Sequence, residues 1–217
     1  MHTAGLGGWE EALTRAREWT SQLTLNEKAG MVTGQYRHYS KSSMELKQNT
    51  GTPGPCVGNI APISRLSFGG LCLQDGPLAV RQAVYVSVFP AQLSVAASWD
   101  RSLAHQRAQS MGNEFRGKGA HVALGPAIGP LGRSPFGGRN WEGFSPDPYL
   151  SGELVAETVR GIQYAGVQSC TKHYIGNEQE TQRNPTKSLN RTTIEAVSSN
   201  IDDKVPLALK ACAQGRN

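Results

Sequence analysis

Charged side chains stand where short apolar runs of this sequence end. Asp75 follows the apolar run 71–73 and precedes a Gly-Pro stop, and Lys172 and His173 close a later strand candidate. Arg139 lies on the long loop after a third apolar run. In a parallel α/β sheet or barrel, such strand ends share one edge, and the chemistry is done there. Because a carboxylate accepts hydrogen bonds and the cations donate them, the set predicts a pocket for a neutral polyhydroxylated ligand.

Each of these residues also has a structural alternative. Asp75 before a glycine is ordinary turn chemistry, and Arg139 could simply pair with Glu142 across its loop. Lys172 could extend its ammonium group to solvent from the strand end, and His173 could be a hydrogen-bonded core histidine. The residues alone leave these alternatives open.

Two kinds of catalysis are conceivable with these groups. Cleavage of a glycosidic bond with retention needs two carboxyl groups about 5–5.5 Å apart. Asp75 is one candidate, and the sequence does not select its partner from Glu142, Glu178 and Glu180. Alternatively, Lys172 could form a Schiff base in a barrel lyase, with His173 beside it.

Composition favours a loop-rich α/β enzyme and argues against several other classes. The chain has 217 residues, of which 22 are basic and 17 acidic, giving a net charge of +5. The basic residues are scattered, so we expect no nucleic-acid partner. No apolar run approaches the ~20 residues of a membrane span, and residues 9–23 are too charged for a signal peptide. No C-x-x-C pair is present, so a zinc site is not expected.

Hydrophobic periodicity predicts alternating helices and strands. Helices are predicted at 9–23, from Thr24 with a capping box to Glu27, from Asp100 to Gly117, and at 150–165. Strands are predicted to end at Asp75 and to cover 84–89, 122–124 and 167–174, with irregular chain at 33–68 and a shaped loop at 125–148. This order predicts a parallel sheet with right-handed crossovers. A closed barrel usually needs ~250 residues, so these strands predict an incomplete one.

Two further patterns concern covalent modification. Cys56 and Cys72 flank a Pro-rich loop at a spacing that a disulfide could close, although two free buried thiols fit equally well. Asn190 begins the triplet Asn-Arg-Thr, which is an acceptor pattern for N-glycosylation.

Three longer runs carry a resemblance to a known family. They are GLCLQDGP, GPLGRSPFGGRNWEGFSPDPYLSG and CTKHYIGNEQE. These runs resemble the N-terminal barrel domain of glycoside hydrolase family 3, and within it the fungal β-glucosidases. The resemblance extends over about residues 9–204.

The resemblance implies an α/β fold, namely the N-terminal part of a (β/α)8 TIM-type barrel. It also implies that residues 1–217 are one truncated domain with an atypical tail at 205–217. It implies that one set of residues grips the glucose at the nonreducing end: Asp75, Arg81, Arg139, Lys172 and His173. It further implies a Cys56–Cys72 bridge, secretion, β-glucosides or cello-oligosaccharides as substrates, and no cofactor.

The resemblance also implies retaining hydrolysis through a covalent glycosyl-enzyme. The family's nucleophile lies in a Ser-Asp-Trp motif and its acid/base glutamate in a following α/β sandwich domain. This sequence contains no Ser-Asp-Trp motif, so both catalytic carboxylates are expected outside it. A catalytically silent sugar-binding remnant, or a sister β-xylosidase or N-acetylglucosaminidase activity, remains the alternative.

We expect the isolated 217-residue chain to fold poorly or aggregate, and to be inactive, because a partial barrel exposes sheet edges and apolar helix faces. Size-exclusion chromatography, denaturant unfolding and an aryl β-glucoside assay check this. A soluble monomer that unfolds cooperatively and turns over the glucoside would contradict it.

Overall fold

The computed structural model describes residues 9–33, 35–36, 56–128 and 135–173. The chain divides into two compact units, the first ending at Gln74 and the second beginning at Asp75. In these described ranges, no helix has the length and apolarity to cross a membrane, and no cluster of three or more His, Cys, Asp or Glu side chains could hold a metal ion. Predictions for Glu178, Glu180, Asn190 and the tail 205–217 lie outside the described residues.

The first unit begins with two helices, α1 (Trp9–Ser21) and α2 (Leu25–Thr33). The predicted capping box is present, because the Thr24 amide donates to Glu27 Oε2 at 2.8 Å and the Glu27 amide donates to Thr24 Oγ1 at 3.3 Å. Arg65 adds an ion pair to Glu27 and donates to the Gln22 carbonyl at 2.7 Å. These contacts tie the start of α2 to a later part of the same unit.

Among the described residues, three short strands follow: β1 (Gln35–Tyr36), β2 (Gly58–Ile60) and β3 (Leu71–Asp75), of which only the last residue, Asp75, belongs to the second unit. β1 pairs with β2 and β2 pairs with β3, both antiparallel. Cys56 and Cys72 form a disulfide with Cα atoms 5.6 Å apart, within the usual range. This is the pairing that the resemblance implies.

The prediction of wholly irregular chain at 33–68 is wrong, since this segment holds β1, β2 and a 3-10 turn at Ser64–Leu66. The predicted parallel arrangement does not extend to these strands, which pair antiparallel. The connection from β2 to β3 is short, and a short connection suits an antiparallel reversal, whereas a parallel crossover needs a dozen or more residues.

Where the structure describes the second unit, it has three α-helices and a pair of strands, in the order α3 (Gln92–Ala96), α4 (Arg101–Gly117), β4 (Val122–Leu124), α5 (Pro148–Tyr164) and β5 (Gln168–Ser169). β4 and β5 pair in parallel, as predicted, and α5 lies between them in sequence. Asp100 caps α4, accepting from the amides of Ser102 and Leu103 at 2.8 and 3.1 Å. Of the predicted strand 167–174, the described residues 167–173 form a strand at β5 and an isolated bridge at Lys172.

Helices α4 and α5 form the core of the second unit. Their buried apolar residues include Ala104, Ala108, Met111 and Phe115 on α4 with Leu154, Val155, Val159 and Ile162 on α5, at the spacing of one helix face. Leu103, which directly precedes the first of these, is exposed. Glycine makes the contact close, because a Cβ on Gly161 would lie 2.6 Å from the His105 carbonyl oxygen and 2.9 Å from the Gln109 amide nitrogen.

The predicted strand at 84–89 is wrong. No strand covers these residues, and Val84, Tyr85 and Val88 are exposed, Tyr85 to 96%. The backbone polar groups find side-chain partners instead of a neighbouring strand, since Ser87 donates its amide to Glu114 and Val84 accepts from Lys118. The segment is therefore a loop laid along α4.

We expect Gly161→Ala to loosen the contact between α4 and α5, because the new methyl group meets backbone atoms that cannot rotate away. Overpacking of this kind costs about 1–3 kcal/mol, so amide exchange in both helices should accelerate roughly 5–150-fold. Hydrogen exchange followed by mass spectrometry measures this. Gly117→Ala is the matched control, since its Cβ would meet nothing within 4 Å. Equal exchange in the two variants would contradict the prediction.

Candidate functional site

Asp75 lies at the end of β3 and is held between two cations. Its Oδ1 atom accepts from Lys172 Nζ at 2.6 Å, and its Oδ2 atom accepts from Arg81 Nη1 at 2.9 Å. The Asp75 and Lys172 side chains are only 16% and 14% exposed, whereas Arg81 is 63% exposed. The structure therefore brings three of the five predicted residues together around one carboxylate.

Lys172 is positioned by the backbone that follows β4. Its amide donates to the Pro126 carbonyl at 3.0 Å, and its carbonyl accepts from the Ile128 amide at 2.9 Å. These bonds flank a parallel bridge between Lys172 and Ala127. The strand end thus extends past β5 far enough to direct the lysine at Asp75.

Arg81 reaches Asp75 because the chain turns sharply after β3. The Arg81 amide donates to the Asp75 carbonyl at 2.9 Å. Gly76 has a φ of +140°, and a Cβ there would lie 1.6 Å from the Ala79 carbonyl oxygen, so only glycine fits. The turn at the Gly-Pro stop noted in the sequence brings Arg81 close to the Asp75 carboxylate.

The electrostatics of Asp75 favour its ionised form. Burial acts to raise the pKa of Asp75, but the hydrogen bond and charge of Lys172, followed by those of Arg81, outweigh it and lower the pKa below its ordinary value. The carboxylate is therefore a permanent hydrogen-bond acceptor at neutral pH. It is poorly suited to act as a general acid.

Arg139 and Glu142 form the pair that was considered as the structural alternative. Arg139 Nε donates to Glu142 Oε1 at 2.7 Å, and Nη2 donates to Oε2 at 2.8 Å. This two-point ion pair fixes the guanidinium plane. Because the Glu142 carboxylate is engaged in it, Glu142 is a support for Arg139 rather than the missing catalytic partner of Asp75.

The remaining predicted residue, His173, directly follows Lys172 and is partly buried.

The Schiff-base alternative depends on Lys172, which donates to the Asp75 carboxylate at 2.6 Å. An ammonium group engaged in this way has no free electron pair for attack on a carbonyl, so the geometry disfavours the Schiff-base hypothesis.

Sequence reasoning missed Gln92, which supports the site from behind. It is fully buried at the start of α3, and its Nε2 donates to the Ala127 carbonyl at 2.7 Å. Ala127 is the residue that bridges to Lys172. The available signal was a polar side chain at the first position of α3, a helix that also contains Leu93, Val95 and Ala96.

We expect Lys172→Met to destabilise the fold by about 1–3 kcal/mol at pH 7, because it removes a cation from a mostly buried carboxylate. The folded-state pKa of Asp75 lies below its unfolded value of about 3.9. Its contribution is therefore complete above about pH 4 and is lost as the pH falls through the folded pKa.

The stability difference between wild type and Lys172→Met should accordingly shrink below about pH 4. Urea unfolding at several pH values measures it, and carboxyl ¹³C NMR should show a raised pKa of Asp75 in the variant. Lys28→Met, at an exposed position of α2, is the control. A difference that stays constant down to pH 2 would rule out the Asp75 ion pair as its source.

Comparison with known proteins places this geometry in a family. Residues 76–209 match the glycosyl hydrolase family 3 N-terminal domain. A protein of Aspergillus flavus named as a β-glucosidase G is 57% identical over 207 residues, which cover 94% of this chain and 23% of that protein. The chain thus spans about a quarter of the length of this curated relative.

Solved structures agree with the sequence match. A β-glucosidase of Chaetomium thermophilum superposes with a TM-score of 0.79 at 40% identity, covering 97% of this chain and 24% of that one. β-Glucosidase 3B of Thermotoga neapolitana, solved in complex with glucose, gives a TM-score of 0.65 at 34% identity, covering 77% of this chain and 24% of that one. The predicted α/β barrel-type fold class is thereby confirmed. The chain belongs to glycosyl hydrolase family 3, in its N-terminal domain.

Proposed function

We propose that this chain forms the glucose-binding side of a retaining β-glucosidase that acts on terminal nonreducing β-D-glucosyl residues. The observation that carries the proposal is the Asp75 carboxylate held between Lys172 and Arg81 at the end of β3. The names of the relatives, which are β-glucosidases, support the substrate class. We therefore propose β-glucosides and cello-oligosaccharides as the substrates, and the breakdown of cellulose or β-glucan as the role.

In this proposal, Asp75 accepts hydrogen bonds from sugar hydroxyl groups. Lys172 and Arg81 keep it ionised, so a hydroxyl donor meets a charged acceptor even in mildly acid solution. Hydrogen bonds to a charged group contribute roughly 1.5–3 kcal/mol each. A carboxylate fixed in this way selects a hydroxylated ligand and holds it in one orientation.

Two further residues complete the proposed sugar-binding set. Arg139 donates from a guanidinium plane that Glu142 holds in place through two ion-pair contacts. His173 follows Lys172 on the same strand end and supplies an imidazole. Donors on both residues suit the hydroxyl oxygens of a pyranose.

The chemical step requires two carboxyl groups that are free to react, and neither candidate among the described residues offers one. The two oxygens of Asp75 accept from Lys172 and Arg81, and its lowered pKa makes it a poor acid, while Glu142 is engaged by Arg139. A retaining mechanism needs one carboxylate as nucleophile and a second carboxyl group as acid/base. We assign these roles to segments outside this chain, including a C-terminal α/β sandwich domain.

Secretion and glycosylation at Asn190 belong to the same proposal. The Cys56–Cys72 disulfide supports an oxidising compartment, since cytosolic proteins keep such thiols reduced. The Asn190 triplet fits N-glycosylation of a secreted chain. Both points are consistent with an extracellular substrate such as cellulose or β-glucan.

Asp75→Asn tests the sugar-binding role. Replacing the charged acceptor should weaken glucose binding roughly 10–150-fold, from the loss of one charge-assisted hydrogen bond. Saturation-transfer NMR with glucose on wild type and variant measures it. Glu153→Gln, on the outer face of α5, is the carboxylate control and should bind as wild type.

Unchanged glucose binding in Asp75→Asn would overturn the role given to Asp75. Competition between glucose and xylose extends the experiment, because xylose lacks the hydroxymethyl group. A preference for xylose would point to the sister β-xylosidase activity. Glucose binding without hydrolysis of a β-glucoside, in a chimaera that joins this chain to the remaining domains of a family member, would identify a silent sugar-binding protein.

A further inference from the structure

The segment between Pro77 and Pro90 is a loop whose two ends are drawn together by one side chain. Arg107 Nη2 donates to the Pro77 carbonyl at 2.9 Å, and Arg107 Nε donates to the Pro90 carbonyl at 2.8 Å. Next to this fork, the Phe89 amide donates to the Leu78 carbonyl at 2.9 Å. We call residues 78–89 the closed loop, because compact loops with adjacent ends are of this type.

The tip of the closed loop is held by the same helix. Glu114 accepts from the Ser87 amide at 2.9 and 3.2 Å, and Lys118 Nζ donates to the Val84 carbonyl at 2.8 Å. The spacing of Arg107, Glu114 and Lys118 is seven and then four residues, which places all three on one side of α4 and its C-cap. Helix α4 therefore binds the closed loop at its base and at its tip.

Arg107 is an unusual residue for its position. It is 7% exposed among apolar residues of α4, and burial lowers the pKa of its guanidinium to about 10. Its Nη1 atom has no hydrogen-bond partner among the described residues. Burial of a charge without a counter-ion is expensive, and a leucine or methionine would fill the same space without that cost. An apolar residue could not donate the two hydrogen bonds to the Pro77 and Pro90 carbonyls.

The closed loop carries Arg81, one of the two cations on Asp75. The Arg81 side chain is 63% exposed and makes its contact at 2.9 Å. An exposed arginine has several freely rotating bonds, so its reach depends on where the backbone places it. The backbone near Arg81 is fixed on one side by β3 and on the other by the closure that Arg107 makes.

We propose that Arg107 is a positioning residue: by joining the Pro77 and Pro90 carbonyls it closes the 78–89 loop and so places Arg81 against the Asp75 carboxylate. This positioning role deepens the proposed function, and its relevance to sugar binding rests on that function. Arg107 itself contacts no sugar. Its effect on Asp75 passes through Arg81.

The test is a double-mutant cycle read at Asp75. In the full chain, ¹³C-carboxyl labelled at aspartate, Arg81→Met should raise the pKa of Asp75 by roughly 0.2–0.7, the size expected for an exposed ion pair. Arg107→Met should raise the pKa of Asp75 by a similar amount. The double variant should show no more than Arg81→Met alone, because both changes remove the same contact.

Two variants guard against general unfolding. Arg107→Lys keeps the buried charge but cannot fork to both carbonyls, so it should raise the pKa of Asp75 by part of the Arg107→Met amount. Lys118→Met removes one of the two contacts at the tip of the closed loop and leaves its base, so the pKa of Asp75 should stay at the wild-type value. Both changes preserve the packing of α4 better than Arg107→Met.

The outcomes separate this proposal from the proposed function. If Arg107→Met and Arg107→Lys speed amide exchange in α4 and leave the pKa of Asp75 unchanged, Arg107 only supports the core and the proposal fails. If the effects of Arg81→Met and Arg107→Met add, the two residues act independently and it also fails. If the cycle behaves as expected while glucose does not bind, the positioning role stands and the sugar-binding function falls.

Discussion

The ion pair between Asp75 and Lys172 joins two residues that lie 97 positions apart in sequence. Each side chain is largely removed from water, so each charge is stabilised by the other. Their contact requires that Asp75 at the end of β3 and the backbone of Lys172 after β5 lie within reach of one lysine side chain. The surrounding structure can be understood as the means of satisfying that requirement.

Each partner has its own support. On the lysine side, the bridge to Ala127 fixes the backbone, and the buried Gln92 amide holds Ala127 in turn. On the aspartate side, the glycine turn after β3 brings Arg81 back to the second carboxylate oxygen. A carboxylate with both oxygens assigned in this manner has a fixed orientation, which a ligand can use without reorganising the protein.

Local signals were readable from the sequence. The Thr24–Glu27 box and the Asp100 cap were predicted because the interacting groups are three residues or fewer apart. The end of β3 at Asp75 followed from the Gly-Pro stop. The convergence of Asp75 and Lys172 followed from the rule that strand ends share an edge, which needs no knowledge of side-chain detail.

Non-local partners were not readable. Residues 84–89 have the composition of a strand, yet their backbone is satisfied by Glu114 and Lys118, about 30 residues later. Arg107 and Gln92 interrupt apolar patterns, and hydrophobic periodicity gives no reason to expect a polar side chain at such a position. Their reason for being buried is a carbonyl elsewhere in the chain, so only the folded structure reveals it.

The close approach of α5 to α4 at Gly161 has an evolutionary consequence. The nearest atoms to a new methyl group include the His105 carbonyl oxygen and the Gln109 amide nitrogen, which belong to the main chain. A side-chain replacement on α4 does not move these main-chain atoms, so it cannot by itself relieve the clash. We therefore expect selection to retain glycine at this position wherever the two helices keep the same spacing.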